Sequence, residues 1–292
     1  MKLSFKQCSV DGCNVTSATG EYDSMMLRIG FSKCCKHLDC NDAEVVSRIY
    51  PGHRHLDVEM ITVIFYSIGL SKDGQVEHLS AFSTTGDNFS SIIKTTPRAN
   101  TSTILRNFSS DVYNALSLEP SDAMERFINW INMTHSTKTG NTDPKNIVLT
   151  AHFGSCHDHI YLLRTMIGYG IGPLDFRLAD SLALFKTIKG PAEHSKIALL
   201  VAKYAEWSPY MPDGADSKAR ALRAVVMAAF QEVRSACYAF SISCERFKER
   251  TGLNALEFAH LKYIHHSPMH NRAIICGESG KIIGYEAHQP QR

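Results

Sequence analysis

The sequence lacks any apolar run long enough to span a bilayer; the longest, residues 60–70, has the length of a buried strand. Its first residues, MKLSFKQCSV, lack the apolar core of a secretion signal. These absences lead us to expect a soluble, intracellular protein with no membrane partner. Five Asn-x-Ser/Thr sequons (Asn14, Asn88, Asn100, Asn107, Asn132) are then chance occurrences, because glycosylation needs the secretory route. An excess of one charge is missing too: 31 Lys and Arg face 29 Asp and Glu, for a net charge of +2. That is too near neutral to argue for a nucleic-acid partner on charge alone. No basic stripe marks a nucleic-acid track, and no internal repeat divides the chain. What remains is ordinary globular composition, 44% hydrophobic and 21% charged over 292 residues, which suits one sizeable domain with a small appendage.

Cysteine is not scarce. Nine are present, and five (Cys8, Cys13, Cys34, Cys35, Cys40) fall in the first forty residues, a segment with little apolar periodicity. Clustered cysteines in a reducing compartment point to metal more than to disulfides. QCSVDGC supplies Cys8 and Cys13, and CCKHLDC supplies Cys34, Cys35, His37 and Cys40. Two close groups of S and N donors separated by a loop suit a tetrahedral structural Zn²⁺, and the metal would supply folding energy that this segment lacks in core. The expected ligands are Cys8, Cys13, His37 and Cys40, with Cys34 or Cys35 replacing one; such a module could contact a nucleic acid or a protein partner. The later cysteines (Cys156, Cys237, Cys244, Cys276) read as small buried hydrophobes.

Beyond residue 45 the pattern alternates. MITVIFYSIGL is rich in β-branched and aromatic residues, as a strand covered on both faces should be. SKDGQ turns the chain and VEHLSAFSTT returns it, so residues 61–85 read as a hairpin. Residues 86–110 are polar and are expected to run along the surface. DAMERFINWINMT places Ala123, Phe127, Trp130 and Ile131 on one helical face, with Ser121 as its candidate N-cap. FRLADSLALFKTI reads as a buried strand running into a helix or turn. EHSKIALLVAKYA reads as a helix with Ile197, Leu200, Val201 and Tyr204 inward. A helix from Lys218 to about Ser235 presents Leu222, Val226, Phe230 and Val233. The tail adds a helix, a turn bearing His260, His265, His266 and His270, and a hairpin around GESGK.

The most informative stretch is VLTAHFGSCHDHIYLL. An apolar strand enters a polar turn, and an amphipathic helix begins at Asp158. A carboxylate at such a junction either caps the helix or helps hold a cation at the open sheet edge.

The order hairpin, helix, strand–turn–helix, strand, helix, helix resembles the DEDD-type, DnaQ-like 3′→5′ exonucleases. The likeness covers roughly residues 55–235. AHFGSCHDHIYLL is similar to that family's second motif: His152 and Asp158 match, while Phe153 stands where Asn is usual and His157 where Phe is usual. ADSLALFK resembles the following strand, and KIALLVAKYA and ADSKARALRAVVMAAF resemble the last two helices. The resemblance implies an α/β, RNase H-like mixed sheet flanked by helices. With the N-terminal zinc module, the expected organisation is 1–45 Cys/His-rich, 46–240 exonuclease-like, and 241–292 a C-terminal extension.

It also implies phosphodiester hydrolysis on single-stranded DNA or RNA with two Mg²⁺ or Mn²⁺ ions held by four carboxylates. Asp57 and Glu59 in LDVEM are the candidates for the first motif, because an intervening residue leaves both on one face of an extended segment. Asp158 would be the third ligand, and Asp213 or Asp216 the fourth. The pattern departs from the family's here. The residues before Asp57 are not a hydrophobic strand, and no His or Tyr precedes the last acid at the usual spacing. Alignment of the last helix sets Lys218 where the acid belongs, and a cation there opposes metal binding. The expectation is therefore a metal-dependent exonuclease, with an inert exonuclease-like binding module as the alternative. A third reading puts the function in the zinc module.

Overall fold

The segment TVIFYSIGL forms the central strand β1 (Thr62–Leu70), whose first seven residues are all buried, as coverage on both faces requires. The computed structural model describes residues 5–17, 22–49, 57–72, 74–95, 105, 108–212, 214–251, 263–267 and 272–276. β2 (Val76–Ser83) returns antiparallel to β1 with Phe65 opposite Phe82, which completes the expected hairpin. β3 (Asn88–Ile93) then pairs antiparallel with β2, in a segment expected only to run along the surface. Four of its six residues remain exposed or partly exposed, so polar side chains are tolerated while the backbone satisfies the edge of β2. A two-residue edge strand, β4 (Ser117–Leu118), closes that side.

On the other side of β1, β5 (Ile147–Ala151) and β6 (Arg177–Asp180) run parallel to it, and β7 (Ser241–Ser243) is an antiparallel edge. The sheet order is β4-β3-β2-β1-β5-β6-β7. Three antiparallel strands followed by two parallel ones, flanked by helices, make this an RNase H-like fold.

The helices are α1 (Met25–Arg28), α2 (Ala43–Ile49), α3 (Ser110–Leu116), α4 (Pro120–Thr139), α5 (Asp158–Gly168), α6 (Ser181–Ile188), α7 (Ile197–Tyr204), α8 (Ala215–Ala229), α9 (Val233–Ala239) and α10 (Cys244–Thr251). The expected inward face of α4 is buried at Ala123, Phe127 and Ile131. Its N-cap is Glu119 rather than Ser121. Pro120 opens the helix, since its fixed φ suits the first helical position and the N–H it lacks would be unpaired there anyway. The single helix expected over 218–235 is two, because Phe230 adopts an extended backbone. There its ring packs 4.9 Å from Phe185.

The Cys-rich segment shares this core. Met25, Met26, Ile29, Phe31, Leu38 and Val45 belong to the same buried cluster as the sheet. A second, small cluster joins Leu27 to Cys8, Cys13 and Cys34, so α1 has one side in each. At the C-terminus, β8 (Tyr263–Ser267) and β9 (Arg272–Cys276) form a separate two-stranded sheet. His265 and His266, expected in a helix end and turn, therefore lie in a strand; His260, His270 and the GESGK segment lie outside the described residues. Among the described residues no helix is long and apolar enough to cross a membrane.

Candidate functional site

The turn after β5 is built on two backbone constraints. Phe153 has φ +60°, a left-handed conformation that costs a non-glycine residue roughly 1–2 kcal/mol. Asn, usual at that point in the second exonuclease motif, adopts it more readily. One residue on, a Cβ at Gly154 would sit 2.6 Å from His159 Nε2 and 2.8 Å from the Ala151 Cβ, so only glycine lets the turn close over the sheet. His159 is fully buried beneath it: Tyr66 Oη donates to its Nδ1 at 2.6 Å, and its Nε2–H donates to the Ala179 carbonyl at 3.0 Å. Both nitrogens are used by the neutral ring, and burial holds its pKa below the usual histidine value.

Asp158 opens α5 with its carboxylate turned onto β1. Oδ1 accepts from the Ile68 N–H at 3.0 Å and the Ser67 hydroxyl at 3.5 Å, while Oδ2 lies 3.2 Å from His157 Nδ1. Burial pushes its pKa up, but the His157 hydrogen bond and charge and the Ile68 N–H outweigh that, leaving it below the ordinary carboxylate range. Asp158 thus neither caps α5 through its side chain nor stands free; it ties the helix start to the central strand.

The other expected acids do not join it. Asp57 and Glu59 precede β1, at the opposite end of the strand from Ser67 and Ile68. Thr62 to Ser67 alone spans roughly 17 Å at the usual strand rise. Asp57 caps a short 3-10 turn through the Glu59 N–H, and Glu59 pairs with Arg234 in solvent. Asp216 accepts from Ser80 at 3.2 Å and pairs with Arg220 at 3.0 Å. Asp213 lies outside the described residues. On β1, the strand stretch beside Asp158 carries Tyr66, Ser67 and Ile68, none of them an acid.

These residues line a cleft over the C-terminal ends of the parallel strands, with His152, Phe153, His157, Ile197, Lys218 and Leu222. Open α/β sheets bind ligands at such an end. A shared wall of His152, Phe153 and Ile197 continues it into an apolar groove that also takes in Tyr22, Lys196 and Tyr210. His152 is fixed by Ser181 Oγ at 2.9 Å and by the Ser195 carbonyl at 2.8 Å, and burial lowers its pKa. One internally bonded carboxylate with a lysine in the same cleft does not fit two divalent cations, which need several oxygen ligands. Sequence reasoning missed Tyr66 and Ile68. The signal was available: the buried strand itself contains no acid.

The cysteine cluster is the opposite case. Cys8, Cys13, Cys34 and His37 each place one donor atom within 4.8 Å of the other three, a set able to hold a metal ion. Cys8 and Cys13 flank a turn closed by Cys13 N–H to the Val10 carbonyl, and Cys34 and His37 flank another closed by His37 N–H to the Cys34 carbonyl. Cys8 has its thiol pKa lowered to about 6. Burial raises it, but the Val10 and Cys34 N–H groups and the His37 and Cys13 side chains outweigh this. Two expected ligands fall elsewhere: Cys35 Sγ lies 3.0 Å from the Tyr22 carbonyl and packs on the main core, and Cys40 is exposed. Arg28 bridges the two regions, donating to the Ser17 carbonyl at 3.0 Å and the Ser155 carbonyl at 2.8 Å. Ser155 in turn bonds Asp180, the cap of α6.

No family model and no curated protein matches the chain. Among solved structures it is similar to the RNase domain of the yeast Pop2 protein, at 9% identity and a TM-score of 0.38, over 67% of this chain and 82% of that one. A likeness that slight carries no argument, and the fold is read from the strand order.

Proposed function

We propose that this chain is a nuclease-fold domain that binds single-stranded nucleic acid in the strand-end cleft without two-metal hydrolysis. The observation that carries the reading is Lys218, which lines the same cleft as Asp158, the one carboxylate among its described lining residues. A cation there suits a backbone phosphate and opposes a metal ion. Phe153 and Tyr210 are aromatic residues lining the same groove, and base stacking on aromatic rings contributes about 1–3 kcal/mol per base without regard to sequence. The near-neutral charge of the whole chain agrees with modest affinity at this one site rather than a long electrostatic track.

The Cys/His cluster in this reading holds Zn²⁺ and has a structural role. A tetrahedral site with Zn–S bonds of about 2.3 Å sets its sulfurs roughly 3.8 Å apart. Cys13 and Cys34 are separated by 3.8 Å, and His37 Nδ1 lies 3.5 and 3.3 Å from Cys8 and Cys34. Four protein donors leave no open coordination position, as structural zinc requires.

The test is fluorescence anisotropy with labelled single-stranded DNA and RNA, run beside a hydrolysis assay in Mg²⁺ and in Mn²⁺. We expect saturable binding that Lys218→Glu weakens at least tenfold. Phe153→Asn, which suits the same backbone, should weaken it about 5- to 150-fold, as the stacking energy implies. Metal-dependent cleavage that Asp158→Asn abolishes would restore the exonuclease reading. A folded protein that binds neither nucleic acid would leave a protein partner for the cleft.

A further inference from the structure

Away from the cleft, a pocket between the N-terminal segment and α10 is lined by Phe5, Lys6, Arg246, Glu249 and Arg250. We propose that it binds a dianionic phosphate group, with Lys6, Arg246 and Arg250 as its cations. The carboxylates nearby are already engaged. Glu44 accepts from the Ser32 N–H at 2.8 Å and the Ser32 hydroxyl at 2.6 Å and pairs with Arg48 at 3.2 Å. Glu249 pairs with Arg246 at 2.9 Å.

Lys6 and Arg250 have no carboxylate partner among the described residues. Among the described residues the Lys6 side chain reaches the Gly30 carbonyl, at 3.4 Å, and that of Arg250 the Leu27 carbonyl, at 3.3 Å. The Arg250 Nε is buried with no hydrogen-bond partner, and a buried donor left unmade costs about 1–3 kcal/mol, more when charged. Four cations (Lys6, Arg48, Arg246, Arg250) against two carboxylates (Glu44, Glu249) leave a local excess of two positive charges. A phosphate monoester carries about −1.5 to −2 near neutral pH, which matches that excess, and guanidinium forks match its oxygens.

Free phosphate and the terminal phosphate of a nucleic-acid strand share this chemistry, and the site does not depend on the cleft reading. The experiment titrates the full chain at fixed ionic strength with inorganic phosphate, followed by ³¹P line broadening. Parallel titrations use one short single-stranded oligonucleotide with and without a 5′-phosphate. We expect phosphate binding that falls at least tenfold in Lys6→Gln, falls likewise in Arg246→Gln, and survives in Lys6→Arg. A 5′-phosphate preference lost in Lys6→Gln assigns the strand end; inorganic phosphate bound without that preference assigns the free ion. No broadening by millimolar phosphate with the folded wild type, or equal binding by wild type, Lys6→Gln and Arg246→Gln, overturns the site. Neither side chain is fully buried, and near-native far-UV and thermal profiles confirm that loss of binding is not loss of fold.

Discussion

The Cys8–Cys13–Cys34–His37 cluster and the Asp158 cleft lie on one scaffold, linked through Arg28, yet only the first gathers its donors. The cluster needs two short turns brought together by one small hydrophobic contact set around Leu27. A four-carboxylate centre needs acids from distant segments to meet at one end of the sheet, and among the described residues they do not. Asp57 and Glu59 sit at the start of β1, whereas Asp158 is fastened near its end. The lesson is that donors held by local turns can be read from spacing, while donors delivered by strands depend on register and on which end of the strand carries them.

The strongest way to break this comparison is at the proposed zinc site. Cys34→Ser, or chelation, should release one zinc per chain and lower the melting temperature by more than about 10 °C, because structural zinc contributes apparent binding energies of about 10–16 kcal/mol in small peptides. Met25, Met26, Ile29 and Phe31 are buried in the common core, so the whole sheet should unfold in the same transition. A loss confined to the N-terminal segment, seen by hydrogen exchange, would contradict that shared core.

A smaller effect is expected where the turn meets the sheet. Gly154→Ala forces a Cβ against His159 and Ala151, and overpacking of this kind costs about 1–3 kcal/mol. Urea unfolding at constant m-value measures it; an unchanged midpoint would mean the turn has room to move.

The acid side of the pH profile sharpens the same point. His152 and His159 are held neutral, with pKa values lowered by burial. The unfolded chain protonates its histidines near pH 6.5, so it binds more protons than the native chain below that value, and stability must fall as pH drops through it. Asp158, lowered below its unfolded value, contributes stability above that unfolded pKa, which is lost only at lower pH as it protonates. Thermal unfolding from pH 8 to 5 should show the histidine loss, and His159→Gln should flatten it. A flat wild-type profile would show that these rings are not kept neutral.

The smallest effect should come from Glu59→Gln. Its pair with Arg234 is exposed, and such pairs contribute little, so melting temperature and nucleic-acid binding should both stay unchanged. A loss of binding would put the N-terminal end of β1 into the functional site after all.

How much was legible is uneven in the same way. The β1–β2 hairpin, the strand–turn–helix at Asp158 and the inward faces of α4 and α7 follow from periodicity, because alternation and 3.6-residue spacing report burial directly. β3 was not legible: an outer strand exposes polar side chains and takes its stability from backbone pairing, which composition does not record. The break at Phe230 was hidden because both halves keep apolar spacing, and only the Phe185 contact turns the chain there.

For the sites, the sequence by itself determined which chemistry was on hand: a cysteine-rich start and a carboxylate between two histidines. It also placed Lys218 against the family's usual acid. Only the tertiary structure decided which groups meet. Cys34 rather than Cys35 or Cys40 completes the soft-donor set, and Asp158 shares its cleft with Lys218 and an acid-free stretch of β1. The physical reason is range: a turn fixes its own neighbours within a few residues, whereas a site at strand ends is assembled by pairings across ninety residues of chain, which no local pattern encodes.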